Sequence, residues 1–101
     1  MKNIVLEGYE YTLENNYKDC FNLDDLKFLY TDYFEEFDYI LGDYSYNKLR
    51  LKGYYDSKNK QAKKYNDIKF YKKYLEDFCA VECPYFLIKK VNKTWKKQEI
   101  W

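Results

Sequence analysis

Lys48, Arg50 and Lys52 alternate with Leu49 and Leu51, and Tyr44, Tyr46 and Tyr54 flank them. The period of two along a strand sends the three cations to one face and the two leucines to the other. Lys58, Lys60, Lys63 and Lys64 follow, with Lys72 and Lys73 beyond them. Rings interleaved with cations are what single-stranded nucleic acid requires, because bases stack on aromatic faces while ammonium and guanidinium groups meet phosphates. Arg50 is the one arginine in the chain. Its planar fork grips a phosphate or carboxylate at two points, which lysine does not do. The structural alternative is that Arg50 pairs with Asp38 or Asp43 inside the domain while the lysines keep an edge strand soluble. For any single residue the structural reading is favoured. The cluster as a whole is the surface best suited to function.

Other chemistry is poorly supplied. Ser45, Ser57 and three cysteines are the available nucleophiles, and no histidine exists to activate them. Asp38 and Asp43 are five positions apart, which puts them on opposite faces of a regular strand unless the chain bends at Gly42. Asp43 ahead of Ser45 reads as a turn capping its own amides. No complete catalytic constellation assembles, so the chain reads as not an enzyme. Cys79 and Cys83 are close enough to share an ion, with Cys20 as a third ligand, yet a zinc site without imidazole is incomplete. Neither a metal nor a cofactor is expected. An odd cysteine count in a reducing compartment points to free thiols. A reversible Cys79–Cys83 disulfide is the alternative, geometrically demanding across a helix end.

The elements that position these residues follow from composition and period. A chain of 101 residues that is 47% apolar, 23% aromatic and 35% charged is long enough for one modest core and too interrupted by charge for a membrane span. The N-terminus carries no apolar run of signal-peptide length, so the expected location is cytoplasmic. Residues 4–14 read as a hairpin around Glu7-Gly8, and 15–19 as a loop. Asn22 caps a helix whose stripe is Leu26, Leu29, Tyr30, Tyr33, Phe34 and Phe37. Residues 39–42 form a short buried strand, 43–47 a turn, 47–55 the basic strand and 56–66 an exposed loop. A second helix runs from about Asn66 or Asp67 to Cys79, with Ile68, Tyr71, Leu75 and Phe78 facing inward. After Pro84, residues 85–91 are apolar on both faces, which suits a central strand. The order ββαββαβ predicts an α+β domain over residues 1–91, a mostly antiparallel twisted sheet with two helices packed on it, and a short basic tail over 92–101. Residues 1–45 carry three lysines against eleven carboxylates, and the remainder is basic. That split generates a steering field only if the fold keeps the halves on different faces.

Asp38-Tyr-Ile-Leu-Gly-Asp43, Tyr46-Asn47, Leu49-Arg-Leu-Lys-Gly53-Tyr-Tyr55 and Cys79-x-x-x-Cys83 followed by Tyr85-Phe-Leu-Ile-Lys89 resemble, in order and spacing, the YutD-like family of small cytosolic proteins from Gram-positive bacteria. The resemblance runs from about residue 9 to residue 91. It implies a single α+β domain whose biochemical role is unassigned. Cys20 departs from the pattern, standing where the family carries a small residue such as glycine. The expectation is a non-catalytic binding module that takes RNA or single-stranded nucleic acid on the basic strand and loop. The alternative is a protein-interaction adaptor docking an acidic partner on that patch, or a basic partner on the face of Asp32, Glu35 and Glu36. No membrane partner is expected, and nothing in the residues fixes an oligomeric state.

Overall fold

The computed structural model describes residues 2–78 and 82–91, so the expectations for Cys79 and for the tail at 92–101 fall outside the described residues. Five strands, β1 (Asn3–Leu6), β2 (Tyr9–Tyr17), β3 (Tyr39–Ser45), β4 (Lys48–Tyr54) and β5 (Tyr85–Lys90), form one sheet in the order β1-β2-β5-β3-β4. Each neighbouring pair is antiparallel. The α+β class and the element order are as the sequence predicts. β5 is central, with Phe86 and Ile88 buried on one face and Leu87 on the other, which is why its start does not alternate with polar residues.

Two hairpins turn on residues with positive φ: Glu7 (51°) and Gly8 (86°), then Tyr46 (53°) and Asn47 (64°). Turns of this mirror-image kind match the twist of the strands they join. The second hairpin differs from the expectation. The ladder continues to Ser45 opposite Lys48, so Asp43 is a strand residue opposite Arg50 and does not cap a turn. Residues 15–17 also differ, because after a bulge between Leu13 and Asn15 they extend β2 opposite Leu87, Phe86 and Tyr85. The central strand thereby gains a backbone partner along its whole length.

The expected first helix is two pieces. α1 (Leu23–Leu29) is capped by the Asn22 side chain, which accepts from the Asp25 amide at 3.0 Å. Tyr30 and Thr31 are extended, and a 3-10 helix follows at Asp32–Glu36. Breaking the rod lets the Tyr30 hydroxyl meet that of Tyr11 at 3.0 Å and carries Phe37 over Gly53. The second helix starts where expected, at Asp67, whose carboxylate accepts from the Lys69 amide at 3.0 Å. A 3-10 turn (Ile68–Phe70) leads into α2 (Tyr71–Phe78). Phe78 is exposed and Tyr74 packs in its place.

The helices cover opposite faces. Leu26, Tyr30 and Phe34 pack with Ile40, Leu49, Leu51, Phe86 and Ile88 on the first face. Ile68, Tyr71, Tyr74 and Leu75 pack with Leu41, Tyr54 and Leu87 on the second. The carboxylates of α1 and the first 3-10 helix, Asp24, Asp25, Asp32, Glu35 and Glu36, therefore lie on one side of the sheet, and Lys69, Lys72 and Lys73 on the other. No helix among the described residues is long and apolar enough to cross a membrane.

Candidate functional site

β4 is a terminal strand of the sheet, and its alternation is as the sequence predicts: Lys48, Arg50 and Lys52 on the α2 side, Leu49 and Leu51 on the α1 side. The cations do not stand free as one shelf. The Arg50 Nε and Nη2 both reach Asp43 Oδ1 at 2.8 Å, and Nη2 donates to the Phe78 carbonyl at 3.0 Å. Of the two internal partners considered for Arg50, Asp43 is the one it takes. Asp38 is used elsewhere, accepting from the Asp56 amide and Asn59 Nδ2 to anchor the basic loop. Asp43 is 1% exposed. Burial pushes its carboxyl above the usual range, and the guanidinium pulls it partly back.

Lys52 is half-buried, its ammonium 4.9 Å from the Tyr54 ring centre and 5.5 Å from that of Tyr74. Burial lowers its pKa. Lys48 is exposed. Tyr54, expected to flank the cations as a stacking ring, is 1% exposed and belongs to the core, because residue 54 is where α2 and its 3-10 turn press on the sheet. Tyr44 is also occupied, donating its hydroxyl to Asp25 Oδ2 at 2.7 Å and so tying the start of α1 to β3. Tyr46 stands 93% exposed at the hairpin tip.

The loop lysines gather elsewhere. Lys60 and Lys63 line a cleft of about 630 Å³ together with Lys52, Leu51, Tyr33 and Tyr65. Lys58 and Lys64 are exposed on the same loop. Lys72 and Lys73 lie on the outer side of α2, and Lys73 pairs with Asp77 at 3.4 Å. A second hollow, of about 460 Å³, lies further along β4, lined by Phe28, Leu29, Asp25, Tyr44, Lys48 and Leu49. Leu49 and Leu51 are two residues apart on one face, so the two hollows are neighbours along one strand.

The apolar members of this surface are what reasoning from residues missed. Phe28 is 86% exposed, Tyr65 71% and Tyr33 64%. Phe28 did carry a signal, since it falls off the buried stripe of its helix and has no core reason to be aromatic. One thiol differs from expectation: Cys83 is buried and disulfide-bonded, whereas Cys20 is free as expected and half-buried, its thiol pushed up by burial. No group of three or more metal-ligating side chains occurs among the described residues.

This architecture, a five-stranded antiparallel sheet with a helical layer on each face and a grooved terminal strand, is that of a small α+β protein. The chain belongs to the YutD-like family: the family described as "Putative antitoxin YutD-like" matches residues 5–89. It is 37% identical over 90 residues to "Putative antitoxin YutD" of Bacillus subtilis (strain 168), covering 89% of this chain and 99% of that protein. Its fold is similar to the solution NMR structure of protein yutD from B. subtilis, with a TM-score of 0.77 at 35% identity, over 91% of this chain and 84% of that one.

Proposed function

We propose that the protein is a non-catalytic, cytoplasmic protein-binding module whose working surface is the outer side of β4 with its two hollows. The observation that carries this reading is the company of exposed rings, Phe28, Tyr33 and Tyr65, around the partly buried leucines of a terminal strand. Exposed apolar side chains grouped at one place and rimmed by charge mark interaction surfaces. Aromatic residues seated by a hollow are the usual energetic centres of such surfaces. The description "Putative antitoxin" borne by the relatives supports a protein partner.

A second reading keeps nucleic acid as the partner. Lys60, Lys63 and Tyr65 around the larger cleft favour it. The two separate by salt response: phosphate binding weakens steeply as salt rises, whereas a protein interface built on buried rings keeps most of its affinity. Against the nucleic-acid reading, Arg50 is already committed to Asp43 and Tyr54 is unavailable for stacking.

The test is co-purification from the native host with tagged parent and tagged Phe28→Asp, followed by titration of the retained protein, once purified, against both. The expected result is one protein retained by the parent and bound at least about thirtyfold more weakly by the variant, as for loss of a central ring. Retention of nucleic acid alone, or equal binding by both forms, overturns the proposal.

A further inference from the structure

We propose that the partner supplies an extended segment in which acidic and apolar side chains alternate, and that this segment adds to the sheet as a sixth strand beside β4. This rests on the protein-binding reading above and names the chemistry of the partner. β4 pairs with β3 on one side, and among the described residues no backbone group pairs with residues 48–53 on the other. An unpaired edge of N–H and C=O groups is a template for another strand. The edge closes just past β4, where the Tyr55 amide donates to the Asn66 carbonyl and the Ile68 amide donates back to Tyr55. The open length is the six residues 48–53 of β4.

The side chains of β4 dictate what fits beside it, because residues opposite each other on neighbouring strands share a face. On the α1 side, Leu49 and Leu51 border the hollows of Phe28, Leu29, Tyr33 and Phe34, so the incoming side chains there are apolar. On the α2 side stand Lys48, Arg50 and Lys52. Asp43 balances the charge of Arg50 and fixes its fork, leaving Lys48 and Lys52 as the uncompensated cations. The incoming side chains there are carboxylates. A strand shifted by one residue puts those carboxylates beside Asp25 and Glu36, which already accept the hydroxyls of Tyr44 and Tyr55. The β4 of a second copy meets like charges instead. The lysines therefore exclude self-pairing and admit an acidic strand.

NMR titration of the isotope-labelled full chain tests this with two capped eight-residue peptides, one alternating aspartate with valine and one alternating lysine with valine, and with oligouridine. The expected result is that the aspartate peptide shifts the amides of residues 48–53 and slows their exchange. Lys48→Glu, at an exposed position, then weakens that peptide about fivefold and admits the lysine peptide. Equal binding of the two peptides, or shifts confined to other elements, overturns the strand-addition proposal. If it fails in that way while the co-purified protein still depends on Phe28, protein binding stands without strand addition. If oligouridine moves these amides and neither peptide does, both readings fall.

Discussion

Asp43 is a buried carboxylate whose Oδ1 receives two contacts from Arg50 and whose Oδ2 has no hydrogen-bond partner among the described residues. Burial raises its pKa, so folding is most favourable while the group is protonated, and stability declines as pH rises from the unfolded value of about 4 through the higher folded value. Removing the guanidinium removes the one influence that lowers that pKa. Arg50→Ala should therefore cost about 2 kcal/mol near neutral pH, as for a part-exposed partner of a buried charge. The gap from the parent should shrink toward pH 4. Urea unfolding from pH 4 to 8 checks the sign, and a gap that ignores pH contradicts it. The hydroxyl of Tyr54 is likewise buried without a partner. Tyr54→Phe should leave stability unchanged or raise it by up to about 1 kcal/mol, since it deletes an unsatisfied polar group and keeps the ring. A clear loss in urea unfolding shows that the hydroxyl is bonded. At this scale the sequence offered the pairing of Arg50 with an aspartate but not its depth, because the period of two gives the face of a residue and not what lies over that face.

The strands hold their positions through two close approaches. Gly42 lies against the Phe86 ring and Gly53 against the Phe37 ring, so closely that an added Cβ at either would overlap the ring. Phe86 is locked in the centre of the sheet, so Gly42→Ala should cost about 2–3 kcal/mol, measurable by thermal or urea unfolding. Phe37 holds the first 3-10 helix against β4. Gly53→Ala should cost about 1–2 kcal/mol and also shift the amides of residues 32–37 and 60–66 in an NMR spectrum, because the larger cleft lies between them. A Gly53→Ala spectrum matching the parent at those residues contradicts that account. Strand order in the chain, the central position of β5 and the start of the second helical segment at Asp67 were legible, since each has a local cause: a two-residue turn, an apolar run on both faces, a capping aspartate. The break at Tyr30 was not. Its cause is a tertiary contact with Tyr11, and a stripe at helical spacing fits a straight helix and a broken one equally.

At the scale of the whole molecule one helical layer is acidic and the other is mixed. Asp24, Asp25, Asp32, Glu35 and Glu36 lie on one face of the sheet, whereas Lys69, Lys72 and Lys73 share the other face with Glu76 and Asp77, and Lys60 and Lys63 line a cleft with Glu36 at the edge where β4 runs. The uneven composition was legible, and so was the face taken by each side chain of the basic strand. The hollows were not, because they depend on where α1 stops and where the loop at 56–66 returns. The most direct test of β4 as the working surface is backbone hydrogen exchange of residues 48–53 in the free protein and in complex with its co-purified partner. The account predicts fast exchange of the outward amides when free and strong protection when bound, with α2 unchanged. Protection confined to the acidic face of α1, with the β4 amides exchanging as before, would contradict it.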